Sequence, residues 1–230
     1  MSPGKILALD CSTEYCSVAL LAEGTCIDRA ERAGQRHSEW VLPMIDAVLT
    51  EGDLALSDLD AIAFGAGPGA FTGLRIACGV AQGLAFGASR RVVAVPTLLA
   101  LAQATHASRV LTILDARMGE IYLAAYEKID GPWQIIIAPC LCNPDTVPPL
   151  PGEDWFGVGS GFVAHGEKLR QHYARELGAF DAQAYPHARH IAALAQDEWQ
   201  AGRAVCAGDA LPLYIRDKVA FTESERRAAS

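Results

Sequence analysis

A glycine-rich segment, GAGPGAFTGLRIACG at residues 65–79, leads directly into an apolar stretch with helical spacing. Glycines that open a helix often hold a phosphate, because free backbone N–H groups there bind anions. The P-loop motif GxxxxGK[ST] would do so, but it does not fit. Gly67 and Gly73 are one residue too far apart, and neither is followed by the lysine that contacts the β- and γ-phosphates. The sequence therefore argues against a P-loop.

The same segment also matches a dinucleotide-binding pattern, since Gly65, Gly67 and Ala70 satisfy GxGxxA. That pattern further needs an acidic residue about 20 residues later, which binds the ribose. Residues 61–114 contain no aspartate or glutamate. The match is therefore incomplete, and we assign no dinucleotide site to it.

Small residues form a stripe on the helix that follows, with Gly73, Ala77 and Ala81 at positions i, i+4 and i+8. Such a face lets another helix or a sheet approach closely. Two interpretations are open: packing within the chain, or a protein–protein interface formed together with an amphipathic helix at 38–51. The candidate interface residues are Trp40, Val41, Met44, Ile45, Gly73, Leu74, Ala77, Val80, Ala81 and Leu84.

A second candidate site begins at Asp10, which ends the first predicted strand and is followed by CSTE. This position resembles the first phosphate loop, DxGTS, of the superfamily that contains actin, sugar kinases and chaperone ATPases. Cys11 stands where that loop has glycine, while Ser12 and Thr13 can still turn the chain.

The second phosphate loop of that superfamily corresponds to DARMGEIY at residues 115–122. Asp115 and Gly119 remain, but Arg117 and Met118 stand where a working loop has glycine. Bulky side chains block the close approach of the backbone to a phosphate. We therefore interpret the two loops as a vestigial nucleotide site that turns over no ATP by itself, and we predict no catalytic residue. The residues of this vestigial site are Asp10, Ser12, Thr13 and Asp115.

Metal-ligating residues are present but do not form a recognisable set. His187 and His190 share a helical face without a third ligand, and Cys140 and Cys142 have no histidine close in sequence. His37 lies at a helix start, where a capping or surface role is more typical than that of a base. We therefore predict no metal site.

The chain of 230 residues carries a net charge of −8, and residues 61–114 contain four arginines and no acid. An acidic chain without a long basic stripe is a poor solitary ligand of nucleic acid. No apolar run reaches the roughly 18 residues of a membrane span. The seven cysteines, an odd number, indicate reduced thiols instead of a disulfide framework. We expect a cytoplasmic protein without a membrane anchor.

The hydrophobic pattern predicts an α/β protein with two mixed sheets. The predicted strands are 5–10, 16–24, 25–33, 59–67, 91–96, 109–117, 119–127 and 133–139, with a further strand and turn at 155–161. The predicted helices are 37–52, 72–87, 97–105, 165–177 and 188–202. Two successive βββ-then-αβα patterns indicate a duplicated unit whose second copy is eroded. We predict two lobes, residues 1–106 and 107–230.

Several segments resemble, in order and spacing, the bacterial TsaB (YeaZ) family over about residues 5–220. They are ALDCSTEYCSVALL, HSEWVLPMI, GAGPGAFTGLRIACGVAQGLA, VPTLLALA, DARMGEIYLAAY and LPLYIRDKVA. The resemblance implies an actin-like ATPase (ASKHA) fold built from a duplicated βββαβα unit, with a reduced second lobe.

The resemblance also implies a function. Members of this family look like non-catalytic dimerisation subunits that bind the related, larger TsaD, which carries the metal-binding histidines and performs the transfer. With the ATPase TsaE, they support threonylcarbamoyl transfer to the adenosine beside the tRNA anticodon, and tRNA is contacted only indirectly. The family's partner interface maps onto helices 38–51 and 72–87. On this basis, we expect Ala77→Trp or Leu74→Asp to abolish TsaD binding and leave the chain folded.

Other interpretations are open. The resemblance implies no cofactor in the chain itself, but it leaves open a nucleotide at the partner interface and a homodimer when the chain is alone. A weak ATPase or kinase that uses Asp10, Ser12, Thr13 and Asp115 is the alternative enzyme class. A glycoprotease-like peptidase has no chemistry behind it, because the sequence lacks the metal-binding histidine pair.

Overall fold

Two five-stranded mixed sheets and five α-helices make up the fold. The structure is a computed structural model, and it describes residues 4–216. The strands are β1 (Ile6–Asp10), β2 (Tyr15–Ala22), β3 (Thr25–Arg32), β4 (Ala61–Gly67), β5 (Arg91–Pro96), β6 (Arg109–Asp115), β7 (Ile121–Lys128), β8 (Trp133–Cys142), β9 (Trp155–Val158) and β10 (Leu177–Asp181). The helices are α1 (His37–Glu51), α2 (Phe71–Ala88), α3 (Thr97–Gln103), α4 (Gly161–His172) and α5 (Ala188–Gln200).

The first sheet has the order β3-β2-β1-β4-β5. Its central strand β1 is antiparallel to β2, with Asp10 opposite Ser17, and parallel to β4, with Ile6 opposite Ala61. Every residue of β1 and β4 is buried, because helices cover both faces of the sheet at these strands. Continuous apolar runs such as ILAL are what a strand covered on both faces requires.

The second sheet repeats this arrangement with the order β8-β7-β6-β9-β10. β6 is antiparallel to β7 and parallel to β9, as β1 is to β2 and β4. The helix that follows the third strand in the first unit has no counterpart between β8 and β9, where the loop 143–154 makes the connection. The predicted α/β fold, with a duplicated unit and a reduced second copy, is therefore confirmed.

Not every helix packs only on the sheet whose strands lie next to it in the sequence. α1 and α2 pack on one face of the first sheet, and α5 packs on its other face, against β1, β2 and β4. α3 lies between the two sheets, where it contacts β6 and β7 of the second sheet, β4 and β5 of the first sheet, and α5. The strands of the first sheet all precede residue 106 and those of the second sheet all follow it, but α3 and α5 pack across this position. The division into lobes 1–106 and 107–230 therefore stays a prediction.

One predicted helix, 165–177, differs from the structure. α4 begins at Gly161 and ends at His172, and β10 then takes Leu177 into the edge of the second sheet beside β9. Leu177 packs against that sheet's core. The polar stretch between α4 and β10 continued the helical spacing, so the sequence pattern did not mark where the strand begins. Within residues 4–216, no helix has the length and apolar character needed to cross a membrane.

Candidate functional site

The glycine-rich turn between β4 and α2 packs against the loop that follows β1. A side-chain carbon at Gly69 would overlap the Ser12 carbonyl oxygen, and one at Gly73 would overlap the Cys11 carbonyl oxygen. Between them, the Ala70 N–H donates to the Ser12 carbonyl at 2.7 Å. These glycines are therefore accounted for by close approach of the chain to itself, and the turn holds a neighbouring loop.

Asp10 is completely buried at the carboxyl end of β1. Its Oδ1 accepts hydrogen bonds from the Ser12 N–H at 3.0 Å and from the Ser12 hydroxyl at 2.8 Å. Its Oδ2 finds no hydrogen-bond partner among residues 4–216. Oδ2 lies against Gly65, where even a side-chain carbon would collide with it. Burial raises the pKa of Asp10 to about 6, and the Ser12 bonds oppose this rise.

The other two residues of the first loop hold its shape. The Thr13 hydroxyl accepts a hydrogen bond from the Tyr15 N–H at 3.3 Å, and the Thr13 carbonyl lies 2.9 Å from the Nε2 atom of His37. His37 is the first residue of α1 and is buried, so it connects this loop to that helix instead of capping a surface helix end. Asp10, Ser12 and Thr13 thus lie together, as predicted, in contact with the starts of both α1 and α2.

Asp115 lies at the corresponding end of β6, in the second sheet. Its carboxylate accepts from the Arg117 N–H at 2.9 Å and pairs with the Arg117 guanidinium at 3.3 Å, and its own N–H donates to Ser160 Oγ at 3.1 Å. Arg117 and Met118 adopt φ angles of 64° and 57°, in the left-handed region that favours glycine. The loop therefore keeps the backbone shape of a glycine turn while carrying two large side chains.

A segment near the described end of the chain, residues 210–216, connects the two regions. The Leu213 N–H donates to the Ala66 carbonyl at 2.7 Å, which fastens the segment to the end of β4. Arg216 then donates to the Ala116 carbonyl at 2.9 Å and pairs with Glu120 at 2.8 Å, with only 9% of its side chain exposed. Sequence reasoning missed this role, because LPLYIR was recognised only as a family segment. The remaining residues of that segment, 217–220, lie outside the described residues.

Seven of the ten predicted interface residues belong to the chain's own core, where they face the first sheet. They are Val41, Met44, Ile45, Gly73, Leu74, Ala77 and Ala81. The physical reason is that an apolar helical stripe marks the face that is buried, and here the chain itself buries it. Leu74→Asp would therefore place a charge in the core, and Ala77→Trp would place a large ring there. Our expectation that these two variants leave the chain folded is wrong, so they cannot test a surface.

The opposite face of α2 is open. Gly79, Gly83 and Gly87 are exposed and stand at i, i+4 and i+8, and a side-chain carbon at any of them would meet no atom of residues 4–216 within 4 Å. Phe86, between them, is 84% exposed, and Leu42 on α1 is 53% exposed. The three remaining predicted interface residues, Trp40, Val80 and Leu84, are partly exposed at the border of the core. We call Leu42, Gly79, Gly83, Phe86 and Gly87 the outer helix face.

The two histidines of the HxxH pattern have structural contacts. His187 caps α5 by accepting from the Arg189 N–H at 3.2 Å, and its Nε2 lies 3.3 Å from the Asp28 carboxylate. Burial lowers the pKa of His190 to about 4. Among residues 4–216, no group of three or more His, Cys, Asp or Glu side chains is arranged to hold a metal ion.

An open pocket of about 330 Å³ lies away from these loops, between the end of α3 and strand β9. The pocket is lined by Ala104, Thr105, His106, Ala107, Phe156, Val158, Asp181 and Ala184. None of the predicted site residues contributes to it.

Comparisons with a family model, with curated relatives and with solved structures agree with one another. The model of the family described as "TsaD: tRNA N6-adenosine threonylcarbamoyltransferase" matches residues 30–223. The protein from Haemophilus influenzae called "tRNA threonylcarbamoyladenosine biosynthesis protein TsaB" is 38% identical, over 94% of this chain and 95% of its own. The protein of the same name from Escherichia coli is 37% identical, over 94% of this chain and 96% of its own. The structure of YeaZ from Pseudomonas aeruginosa is similar with a TM-score of 0.85 and 42% identity, over 92% of this chain and 99% of that one.

Proposed function

Since the chain belongs to the TsaB family, we propose that it takes part in tRNA threonylcarbamoyladenosine biosynthesis as a non-catalytic subunit that binds a TsaD-type protein. The observation that carries this proposal is the outer helix face. It presents three glycines and two large apolar side chains on neighbouring helices, without a partner within the described chain. Apolar anchors beside a groove of small residues suit the approach of a helix from another protein.

The energetics of α2 support an external partner. Each glycine in a helix interior costs about 0.5–1 kcal/mol relative to alanine. Gly73 gains close packing on the Cys11 carbonyl in return, but Gly79 and Gly83 gain no such contact from residues 4–216. A helix of another protein that lies close along these positions would supply the missing contact.

The loops support a non-catalytic role. In the second loop, the Asp115 carboxylate is engaged by Arg117, and the Ala116 carbonyl is engaged by Arg216. In the first loop, the Asp10 carboxylate is sealed from solvent. Neither carboxylate points an unpaired oxygen at solvent in this arrangement, and we infer that chemistry on the tRNA belongs to the TsaD-type partner.

The assembly would place this chain away from direct tRNA contact. A net charge of −8 disfavours binding to a polyanion, so a TsaD-type subunit and a TsaE-type ATPase would carry the nucleic acid and nucleotide contacts. The complex would act in the cytoplasm. A homodimer through the same outer helix face is the state that we propose for the chain without its partner.

Gly83→Trp tests the interface, because it fills the outer helix face without touching the core. We expect a loss of at least tenfold in affinity for a TsaD-type subunit in a calorimetric titration, and a matching loss of threonylcarbamoyladenosine in a reconstituted reaction. The matched control is Gly166→Trp on α4, another glycine with no described atom within 4 Å. If both variants bind as the wild type does, the partner does not use this face.

A weak ATPase remains the second candidate, because the buried Asp10 Oδ2 lacks a partner among the described residues. An unpaired buried carboxylate oxygen is costly, and a magnesium–nucleotide complex would give Oδ2 a partner if the loop after β1 opened to admit it. A calorimetric titration with Mg–ATP separates the two functions. Binding that weakens in Asp10→Ala would favour the enzyme, whereas no heat at millimolar nucleotide would favour the scaffold.

A further inference from the structure

Two buried cysteines face each other where β1 and β2 enter their connecting loop. The ladder between these strands ends with Asp10 opposite Ser17, and one further step of that register places Cys11 opposite Cys16. The two sulfur atoms are 3.9 Å apart, and both thiols are free. Both side chains lie in the core between the first sheet and helices α1 and α2.

This geometry is close to that of a disulfide. Residues directly opposite in an antiparallel pair have Cα atoms about 4.5–5.5 Å apart, which lies within the range that disulfides span. An S–S bond is about 2.05 Å long, so the two sulfurs need to approach by only about 2 Å. Side-chain rotation and a small shift of the loop provide such a movement without breaking the strand ladder.

We propose that Cys11 and Cys16 are a site of reversible disulfide formation in the folded protein, with a small hydroperoxide as the oxidant. One thiol of the pair, as its thiolate, attacks the peroxide and becomes a sulfenic acid, and the released hydroxide or alkoxide takes up the proton of that thiol. The sulfur of the second cysteine then attacks the sulfenic acid sulfur and expels hydroxide, which leaves as water with the proton of the second thiol. With hydrogen peroxide, two thiols and one peroxide thus give one disulfide and two waters.

The contact between the two thiols favours ionisation of one of them. A hydrogen bond from one thiol stabilises the thiolate of the other, and either sulfur can be the donor. Either cysteine can therefore act first, and its neighbour then resolves the sulfenic acid.

The resulting ring would enclose residues 12–15, which contact the two helices of the candidate interface. The Ser12 carbonyl accepts from the N–H of Ala70, the residue before α2, and the Thr13 carbonyl lies 2.9 Å from His37 Nε2 at the start of α1. Oxidation would therefore restrain the loop on which both helix starts rest. The disulfide itself does not depend on what the outer helix face binds.

Proteolysis can report this pair without ambiguity. Trypsin cleaves after Lys5 and glutamyl endopeptidase cleaves after Glu14 and Glu23, so Cys11 and Cys16 fall on the separate fragments 6–14 and 15–23. The folded full chain is treated with hydrogen peroxide, quenched with catalase, alkylated, digested and analysed by mass spectrometry. We expect the two fragments to be joined at a mass 2 Da below their sum, and to separate after dithiothreitol.

The other cysteines provide the controls. Cys142→Ser, in strand β8, should leave the linkage unchanged, whereas Cys16→Ser should remove it. Cys26 and Cys206 are exposed and report that the oxidant has acted. If both are fully oxidised while fragments 6–14 and 15–23 still carry alkylated thiols, the proposal is wrong. A linkage that forms only when the chain is unfolded in urea, or that dithiothreitol does not reverse, would overturn it equally.

Discussion

The buried carboxylate of Asp10 makes the stability of this protein depend on pH, and Asp10→Asn tests that dependence. Burial raises the pKa of Asp10 from 3.8 to about 6 in the folded protein. Because the folded pKa is the higher one, the stabilisation that Asp10 provides is fully present below pH 3.8. It is lost as pH rises through about 6.

The magnitude follows from the size of this shift. A difference of about two pKa units corresponds to roughly 3 kcal/mol, which is the full cost of ionising Asp10 in the folded state at pH 8. At pH 4.5 the same linkage gives a cost of only about 1 kcal/mol, because the folded carboxyl is then protonated. The free energy of unfolding should therefore contain an Asp10 contribution that changes by about 2 kcal/mol between these two pH values.

Asparagine removes the ionisation but keeps the shape. Its Oδ1 can still accept both Ser12 hydrogen bonds, while its amide nitrogen takes the unpartnered position beside Gly65 at a cost of about 1–3 kcal/mol for a buried unpaired donor. That cost does not vary with pH, so it cancels when the two pH values are compared. The free energy of unfolding of Asp10→Asn minus that of the wild type should therefore be about 2 kcal/mol larger at pH 8 than at pH 4.5.

Urea unfolding of both proteins at pH 4.5 and pH 8 measures this quantity. Asp46→Asn, which removes an exposed carboxylate on α1, controls for the loss of one negative charge. A stability difference between Asp10→Asn and the wild type that is the same at both pH values would refute the reasoning. It would mean that Asp10 ionises in the folded protein as easily as in the unfolded chain.

Two further predictions concern the glycine turn and the segment 210–216. Gly73→Ala should lower the free energy of unfolding by about 1–3 kcal/mol, because the new methyl group overlaps the Cys11 carbonyl, and thermal and urea unfolding would measure the loss. Gly79→Ala, on the open face of the same helix, should instead raise stability by about 0.5–1 kcal/mol, and equal effects at both positions would contradict the packing described here. Arg216→Ala should cost about 1–3 kcal/mol in the same assay, because the Ala116 carbonyl and Glu120 lose a buried partner. The exposed Arg175→Ala is its control, and an equally small effect of both would show that the segment is not fastened at Arg216.

Much of the fold could be predicted from the sequence, because its strands and helices are marked by burial patterns. The runs ILAL and AIAF predict strands that are covered on both faces, and β1 and β4 are such strands. What the pattern did not contain was which sheet each helix covers, since α3 contacts both sheets and α5 packs on the first one. The apolar face of helix α5 does not by itself specify which of the two sheets it covers. Its placement on the first sheet depends on contacts between residues far apart in sequence, such as the hydrogen bond from the Ala188 N–H to Ser17 Oγ at 2.9 Å.

The candidate site could be predicted only in part. Asp10 and Asp115 each end the central strand of a sheet, and position in the chain suffices to find such residues. The role of Arg216 depends on where the chain passes after leaving α5, and no local pattern specifies that path. The loop at Arg117 and Met118 was predicted to obstruct a phosphate, and the structure adds that both residues are held at positive φ in spite of their side chains.

The glycines of α2 show why the sequence alone could not decide between packing within the chain and an interface with another protein. Gly73 and Gly79 are six residues apart on one helix, and a sequence pattern treats both as small residues that favour close packing. In the structure, Gly73 is required by the Cys11 carbonyl oxygen, whereas Gly79, Gly83 and Gly87 face no atom of the described chain. An intrachain explanation thus accounts for the buried stripe and leaves the exposed one unexplained. Glycine in a helix interior destabilises the isolated chain, and the contact with another protein that we propose would give the exposed stripe the packing that the described chain does not supply.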